Sequence, residues 1–394
     1  MQYWTAILVL SCFIIFYNYA GYAIIALIVN KLKKASPPPP ADLTPSVSFI
    51  VAAFNEEDFI REKVLNSLQQ DYPADRIEYI FITDGSVDST PDVIREYPAI
   101  QLLHQPQRQG KSHAVNRAVA TARHDVLIFS DANTTLNPQA VRHIARHYHD
   151  PMTGGVAGEK KVISVNKTGD EVGGGEGLYW KYESFLKKID SDFYSVVGAA
   201  GELFSVRRSL YHPLPGNIIL DDFVISLETA QKGYRIIYEP DAYAMESPSF
   251  SMKDEGKRKV RIAAGGFQAI GLLSGLLAFW RQPRLSFLYI SHRVLRWTLS
   301  PLCFILAFIS NLALVLLTDD LAFRLLFGAQ LLFYILAALA SAMPPHKRPS
   351  LLKLPYYFTF MNVSVVLGFF RFLKGGQSAV WEKARRVTTS SPAE

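Results

Sequence analysis

The chain has 394 residues, of which 49% are hydrophobic and 19% are charged, and its formal net charge is +6. This length allows a sizeable α/β domain together with further segments. The two cysteines, Cys12 and Cys303, both lie in apolar stretches, which excludes a disulfide framework and a cysteine-based metal site.

The apolar residues are concentrated in residues 3–30 and 267–373, whereas residues 41–260 have the composition of a soluble domain. Short basic runs lie beside the apolar segments. We therefore expect these runs to flank a membrane rather than to bind nucleic acid. They are Lys31–Lys34, His346–Arg348, and Lys383 with Arg385 and Arg386.

The first segment, residues 1–34, is predicted to be a transmembrane anchor. It contains the roughly 20 apolar residues that a helix needs to cross a bilayer. No basic residue precedes them and no small-residue cleavage site follows, so an uncleaved anchor is favoured over a signal peptide. The lysines at its end place the following chain in the cytoplasm by the positive-inside rule. The run Pro37–Pro40 makes residues 35–44 a stiff linker.

Three apolar, β-rich runs follow the linker: Val47–Ala53, Tyr79–Thr83 and Val126–Ser130. Strands this apolar are buried on both faces, as in a parallel α/β sheet. Stretches with helical periodicity alternate with the strands, which predicts a doubly wound α/β domain over residues 45–255. The predicted helices are Glu56–Gln69, Pro91–Tyr97, His113–Ala122 and Pro138–His149.

Acidic or amide side chains follow each of these three strands. Asn55 and Glu56 follow the first strand, Asp84 follows the second, and Asp131 and Asn133 follow the third. Ligands of parallel α/β sheets bind beyond the carboxyl ends of the strands. We therefore expect one site there for a polar ligand that carries a metal ion.

Two common nucleotide-binding motifs are excluded. The glycine-rich Rossmann fingerprint is absent after the first strand, where Ala53–Glu56 stands instead. A P-loop is excluded because Gln105 occupies the position of its first glycine, ahead of Gly110–Ser112.

The last third of the chain is predicted to contact the membrane. Residues 256–285 begin with a basic cluster and continue as an apolar run, which predicts an amphipathic interface helix. Residues 286–343 hold two apolar stretches around an acidic turn, which predicts a transmembrane hairpin. Residues 344–373 have basic clusters on both sides, so we expect an interface or re-entrant helix rather than a fourth crossing. Residues 374–394 are predicted to be a cytoplasmic tail.

A series of motifs in residues 45–265 resembles family 2 glycosyltransferases, which are inverting enzymes with the GT-A fold. The arrangement of the apolar segments is similar to the synthase branch that includes cellulose, hyaluronan and poly-N-acetylglucosamine synthases. The motifs are Val47–Glu56, Asp84–Thr90, Gln109–Lys111 with Asn116, Asp131–Asn133, Gly201–Arg208, and Leu220–Phe223 followed by Gly233.

The resemblance implies that a nucleotide-sugar donor binds at the strand ends. Asn55 and Glu56 would contact the base or ribose together with Asp84, although Asp84-Gly85 alone is also typical of a plain turn. Thr83 stands where the family commonly has a further acid. The implied donor-binding residues are Ala53, Asn55, Glu56, Asp84, Lys111, Asp131, Arg258 and Arg261.

Asp131-Ala132-Asn133 occupies the place of the family's metal-binding D-x-D motif. The resemblance implies Mg²⁺ or Mn²⁺ held by Asp131 and Asn133, and hard cations of this kind prefer oxygen ligands. The alternative is that these side chains only cap the next helix.

Asp221-Asp222 resembles the Glu-Asp pair of the synthases, in which the second acid is the catalytic base. Asp222 is therefore the implied base and Asp221 its supporting neighbour. The alternative is a helix start, because acids in a first turn interact favourably with the helix dipole.

Gly201, Glu202 and Trp180 are expected on the acceptor side, with packing beneath the membrane helices as the alternative for Trp180. Arg258–Ile262 corresponds to the Q-x-x-R-W motif of polymerising members, and Ile262 in place of Trp argues against long processive polymerisation. A basic cluster that anchors the chain to the membrane is the alternative. Trp381 and Arg385 resemble the gating segment of such synthases, or an interface anchor.

We therefore expect a membrane-bound inverting glycosyltransferase with a cytoplasmic GT-A domain, at a bacterial inner membrane. It would transfer a hexose or N-acetylhexosamine from a nucleotide sugar, favoured as UDP, to a growing glycan or a lipid-linked acceptor in exopolysaccharide or envelope glycan synthesis. An export partner or a homo-oligomer is left open, and no nucleic acid is expected. The alternative is a non-catalytic export or sugar-nucleotide-binding subunit.

Overall fold

The computed structural model describes residues 1–33, 39–40, 43–162, 173–246, 252–344 and 348–375. Most of the predicted linker at residues 35–44 lies outside the described residues, as do Trp381 and Arg385 of the predicted tail. The described chain forms an α/β domain with apolar helices before and after it.

Within the described residues, eight strands form one mixed sheet in the order β3-β2-β1-β4-β7-β6-β8-β5. The strands are β1 Val47–Ala53, β2 Ile77–Asp84, β3 Ile100–Gln105, β4 Val126–Asp131, β5 Thr134–Leu136, β6 Thr153–Val162, β7 Leu203–Arg207 and β8 Arg235–Glu246.

The described α-helices number fourteen, and short 3₁₀ or π turns extend several of them. They are α1 Gln2–Phe16, α2 Tyr22–Leu32, α3 Glu57–Leu68, α4 Thr90–Arg95, α5 Lys111–Thr121, α6 Ala140–Ala145, α7 Gly173–Phe193, α8 Asp221–Gln231, α9 Met252–Leu272, α10 Pro283–Tyr289, α11 Leu295–Trp297, α12 Leu299–Leu317, α13 Leu321–Ala342 and α14 Ser350–Leu373.

The first half of the sheet is parallel, as the sequence predicts. β1 pairs with β2 and β4, and β2 pairs with β3. Every residue of β1 is buried, which suits a central strand with helices on both faces. The three predicted strands are confirmed as β1, β2 and β4, and the four predicted helices are confirmed as α3 to α6.

The second half of the sheet contains antiparallel pairs that the sequence did not predict. β7 runs antiparallel to β4 and to β6, whereas β6 and β8 are parallel. β6 is rich in glycine because the backbone and side chains of neighbouring segments approach it closely. A Cβ atom added at Gly155 would lie 2.5 Å from the carbonyl oxygen of Ser205. The predicted α/β class is confirmed, with a mixed rather than a wholly parallel sheet.

Four described helical segments are long and apolar enough to cross a membrane. They are Gln2–Leu32, Leu299–Leu317, Leu321–Ala342 and Ser350–Leu373. The first comprises α1, one turn of π-helix and α2. The last is a continuous helix although it contains Pro355. The interface or re-entrant position of residues 344–373 and the other domain boundaries stay predictions.

The apolar helices from the two ends of the chain pack together. Nδ2 of Asn18 donates to the carbonyl oxygen of Ser291 at 2.6 Å, which joins the π-helical turns Tyr17–Gly21 and Ile290–Val294. α14 packs closely on α9 at Gly368, where an added Cβ atom would lie 2.5 Å from Cβ of Ala263. Helices distant in sequence therefore lie beside the α/β domain as one group.

Candidate active site

The register of the parallel strands brings the predicted donor residues to one edge of the sheet. Ala52 of β1 pairs with Asp131 of β4, and Ala53 pairs with Thr83 of β2. Parallel strands end at the same edge, so the residues that follow β1 and β2 lie near Asp131.

A cavity of about 260 Å³, here called the catalytic cavity, lies beside Asp131 and is walled by parts of α5, α7, α8, α9 and α14. Most of the predicted site residues line this cavity. The predicted site residues that line it are Lys111, Asp131, Trp180, Gly201, Glu202, Asp221, Asp222, Arg258 and Arg261. Its described lining does not include Ala53, Asn55, Glu56, Asp84 or Asn133.

A lysine lies among three carboxylates of the catalytic cavity. Lys111 begins α5, and its Nζ donates to Oδ1 of Asp131 at 2.7 Å. Burial alone would lower the pKa of Lys111, but Asp131, Asp221 and Asp222 raise it above its ordinary value. Burial raises the pKa of Asp131, and Lys111 opposes that shift. The ammonium group of Lys111 can therefore pair with an anionic ligand, and such a ligand would change its ion pair with Asp131.

Asp221 and Asp222 form the first turn of α8. Burial, followed by the charge of Asp221, raises the pKa of Asp222 to about 7. A carboxyl group with a pKa near the working pH is suited to general base catalysis. Gly201 lies directly against it, because an added Cβ atom there would be 3.3 Å from Oδ2 of Asp222 and from Nζ of Lys111.

Asp84 holds the loop that leads to Lys111. Its Oδ1 accepts from the backbone N–H of Gln109 at 3.0 Å, and its Oδ2 accepts from that of Gly110 at 2.6 Å. Gly110 has a φ of 98°, a conformation that favours glycine. Asp84 therefore positions α5 in this structure, and its direct contact with the donor stays a prediction.

Asn55 joins the loops that follow β1 and β2. It has a φ of 53°, and its Oδ1 accepts from the backbone N–H of Val87 at 2.9 Å. The backbone N–H of Glu56 donates to Oγ1 of Thr90 at 2.8 Å. These bonds fix the edge where the nucleoside is expected. The contacts of Asn55 and Glu56 with a nucleoside stay predictions.

Buried ion pairs fix the predicted acceptor side. Lys160 is almost fully buried and pairs with both Glu202 and Glu246. Burial alone would raise the pKa of Glu202, but Lys160 holds it far below its ordinary value. Nζ of Lys160 also lies 5.0 Å from the ring centre of Trp180. Glu202 and Trp180 therefore belong to one ordered wall of the catalytic cavity.

The two arginines of the predicted Q-x-x-R-W segment lie on α9 and line the catalytic cavity. Arg258 donates from Nε and Nη2 to the two carboxylate oxygens of Glu255, at 2.9 Å each. A fork of this kind fixes the orientation of the guanidinium. Because both arginines line the cavity, they are placed to contact a ligand there, and a role of this cluster as a membrane anchor stays a prediction.

The oxygen chemistry of Asp131 fits a divalent cation. Within the described ranges, no group of three or more His, Cys, Asp or Glu side chains could hold a metal ion by itself. Mg²⁺ is often bound by one or two carboxylates plus substrate phosphates. Asp131 could supply the carboxylate, and the role of Asn133 stays a prediction.

The sequence analysis missed several residues of the catalytic cavity. Glu183 and Lys187 lie on α7 one and two turns after Trp180, a spacing that would have placed all three on one helix face. Gly173, Gly174, Gly175 and Gly177 are typical of a loop, which conceals this helix in the sequence, but they lie at the start of α7. Trp297 and Met361 reach the cavity only through long-range packing, for which the sequence carries no signal.

A mixed α/β sheet with carboxylates and cations at its carboxyl edge, with apolar helices before and after it, agrees with a GT-A-like fold. Residues 48–214 match the model of the family described as Glycosyl transferase family 2. Over these residues, which are fewer than half of the chain, the protein is similar to that family.

Two curated relatives show a similar partial likeness. The chain is 28% identical over 242 residues to "Probable glycosyltransferase YdaM" of Bacillus subtilis (strain 168), covering 56% of this chain and 55% of that protein. It is 25% identical over 231 residues to "Poly-beta-1,6-N-acetyl-D-glucosamine synthase" of Staphylococcus aureus (strain MSSA476), covering 57% and 55%. The chain thus spans about half the length of the curated relatives it matches.

The fold is similar to that of the mannosyltransferase PcManGT from Pyrobaculum calidifontis, solved in complex with GDP-Man and Mn²⁺. The TM-score is 0.71 at 22% identity, over 94% of this chain and 99% of that one. The likeness establishes the fold, a GT-A-like core flanked by apolar helices.

Proposed function

We propose that the protein is a membrane-integrated, metal-dependent, inverting glycosyltransferase. It transfers a hexose or N-acetylhexosamine from a nucleotide sugar to a glycan or lipid-linked acceptor in the synthesis of exopolysaccharide or envelope glycan. The observation that carries this proposal is the meeting of Lys111, Asp131 and Asp222 in one cavity, although they are far apart in the chain.

Asp222 acts as the base in this proposal. It takes the proton from the acceptor hydroxyl, whose oxygen attacks the anomeric carbon from the face opposite the diphosphate, and the nucleoside diphosphate leaves. The raised pKa of Asp222 suits this proton transfer near neutral pH. Asp221 sustains that raised pKa through its negative charge.

Positive side chains stabilise the leaving diphosphate. Lys111, Arg258 and Arg261 line the same cavity and supply this charge. Asp131 would hold Mg²⁺ or Mn²⁺, which supplies further electrostatic stabilisation of the diphosphate when bound. The edge formed by Asn55, Glu56 and Asp84 would receive the nucleoside.

The four apolar helical segments support insertion into a membrane. Lys31 and Lys33 lie at the carboxyl end of the first segment, which favours a cytoplasmic location for the α/β domain. Nucleotide sugars are then available on the same side. A bacterial inner membrane is the proposed location.

The test is a screen of radiolabelled nucleotide sugars with the purified full chain in lipid nanodiscs and Mn²⁺. UDP-glucose, UDP-N-acetylglucosamine and GDP-mannose are compared, and release of nucleoside diphosphate is measured. We expect turnover with one UDP-sugar and none after Asp222→Asn. Turnover with GDP-mannose alone would overturn the UDP assignment, and equal turnover of the variant would overturn the role of Asp222.

The alternative, a non-catalytic export or sugar-nucleotide-binding subunit, makes a different prediction. Such a protein would bind a nucleotide sugar without releasing the diphosphate. The position of Asp222 beside Lys111 and Asp131 in the catalytic cavity, together with its raised pKa, favours catalysis, because strongly perturbed carboxyl groups in clefts cluster at catalytic sites.

A further inference from the structure

A second cavity, of about 280 Å³, lies beside the catalytic cavity and is here called the apolar cavity. Its wall comes from the N-terminal helical segment, α7, α11 and α14, and is mostly aromatic or aliphatic. Among the residues that form it are Tyr19, Tyr182, Leu354, Phe358, Met361 and Val365. The proposed sugar chemistry does not use this space.

The two cavities are continuous at one junction. Tyr179, Arg293, Trp297, Met361 and Val365 line both of them. An elongated ligand can therefore occupy the apolar cavity and extend toward Asp222 without leaving the protein. This continuity ties the apolar cavity to the chemistry rather than to packing alone.

The apolar cavity also reaches the surface that would face lipid. Its wall includes Tyr19 of Gln2–Leu32 and Leu354 of Ser350–Leu373, two of the segments long enough to cross a membrane. Leu354 is 61% exposed and lines the cavity, so it marks a rim open to the outside of α14. Hydrocarbon chains from a bilayer have direct access there.

The junction contains a buried charged cluster. Arg293 donates to Oε2 of Glu183 at 3.0 Å, and Arg296 pairs with the other oxygen of the same carboxylate. His292 links this carboxylate to Asp190, because its Nε2 lies 3.5 Å from Oε2 of Glu183 and its Nδ1 lies 2.5 Å from Oδ2 of Asp190. Arg293 lines both cavities, so its guanidinium gives the junction complementarity to an anion.

A buried lysine strengthens this complementarity. Lys187 lines the catalytic cavity and is only 3% exposed. Its Nζ has no hydrogen-bond partner within the described part of the chain. A buried ammonium without an acceptor is costly unless a ligand supplies one.

We propose that the apolar cavity binds the hydrocarbon chain of a lipid-linked sugar phosphate acceptor, whose phosphate lies at the junction near Arg293 and Lys187. The reacting hydroxyl belongs to the sugar carried on that phosphate and lies in the catalytic cavity beside Asp222. The role of this lipid as an acceptor rests on the proposed transferase function. Its binding to the apolar cavity does not require turnover.

The test uses the full chain in nanodiscs and a farnesyl monophosphate that carries a photoreactive diazirine at the chain end. We expect peptide mapping to find the label on α14 between Leu354 and Val365. Unlabelled farnesyl monophosphate should compete at least about tenfold better than isopentenyl monophosphate or farnesol, because only it satisfies both chain and phosphate. Inorganic phosphate should not compete.

Two variants of α14 form a matched pair. Asn362 lines the apolar cavity only, whereas Val363 is 51% exposed on the outer side of the same helix. Asn362→Trp should reduce labelling at least about tenfold by filling the cavity. Val363→Trp adds an indole outside the cavity and should leave labelling unchanged.

Equal labelling in both variants, or label spread over the lipid-facing helices, would overturn the proposal. Competition by a soluble glucan oligosaccharide would do so too, because the cavity would then hold a glycan. The map of label on the unsubstituted chain decides the question if Asn362→Trp does not fold. Specific labelling without donor turnover would refute the proposed function alone, whereas turnover without specific labelling would refute only this inference.

Discussion

Nζ of Lys111 lies 2.7 Å from Oδ1 of Asp131, so the carboxylate expected to bind a metal ion is paired with a lysine from another element. Asp84 holds the loop before that lysine through two backbone N–H groups. The lysine thus balances the acidic cavity before any ligand enters. Binding of a diphosphate with its metal ion would redistribute this charge.

Removal of the Lys111 charge should impair the reaction and shift its pH dependence. Lys111 lowers the pKa of Asp222, so Lys111→Gln should raise that pKa and leave more of the base protonated at pH 7. We expect kcat/KM to fall by at least about tenfold and the midpoint of the pH profile to move upward. Diphosphate release measured between pH 5 and 9 checks both. His113→Gln, an exposed position on the same helix, should change neither.

Turnover should rise with pH through about 7 as Asp222 loses its proton. Asp222→Asn should lower kcat by about 10²–10⁴-fold, the usual contribution of a positioned base. The free energy of unfolding should change in the opposite direction. A carboxyl group whose pKa is raised in the folded protein contributes its full stabilisation at pH values below its unfolded pKa, and this contribution is lost as the pH rises through about 7. The unfolding midpoint of Asp222→Asn should therefore depend less on pH in this range.

Substitution of Asp221 tests the direction of the shift in the pH profile. Asp221 raises the pKa of Asp222, so Asp221→Asn should move the pH profile downward while turnover persists. An upward or absent shift would contradict the assignment of Asp222 as the titrating base.

Strands β1, β2 and β4 of the parallel half could be predicted because they are continuous apolar runs, whereas β3 was not predicted because its polar residues interrupt such a run. β6 could not, since its glycines read as turn signals, although Gly155 is required by the approach of Ser205. The acids at the strand ends could be predicted because they directly follow these apolar runs in the sequence. The role of Asp84 in holding Gln109 and Gly110 depends on a contact that no local pattern encodes.

A methyl group at Gly201 should disturb the site without unfolding the domain. It would lie 3.3 Å from both Oδ2 of Asp222 and Nζ of Lys111, a tight contact in a group of opposed charges. We expect Gly201→Ala to lower kcat by at least about tenfold, with little change in thermal stability. Gly271→Ala, where an added Cβ atom meets nothing within 4 Å, is the control. Full activity of Gly201→Ala would mean that these atoms do not need their present spacing.

Lys160 should matter for stability more than for chemistry. It pairs with Glu202 and Glu246 in a buried position, and its loss leaves two buried carboxylates without their cation. We expect Lys160→Met to lower the free energy of unfolding by about 3–5 kcal/mol. Lys161→Met removes an exposed lysine 3.3 Å above the ring of Tyr243 and should cost about 0.5–1 kcal/mol. Denaturant unfolding of both variants, in the same detergent, gives the comparison.

The metal dependence should be a property of the complex with nucleotide rather than of the free protein. Lys111 already occupies one oxygen of Asp131, and no described cluster of three ligating side chains is present. Calorimetry should therefore find weak binding of Mn²⁺ alone but tighter binding of UDP when Mn²⁺ is added. Asp131→Asn should abolish that tightening because it removes the anionic ligand, and a chelator should have the same effect on the unsubstituted protein. A variant that retained the full Mn²⁺ effect would show that the ion is held elsewhere.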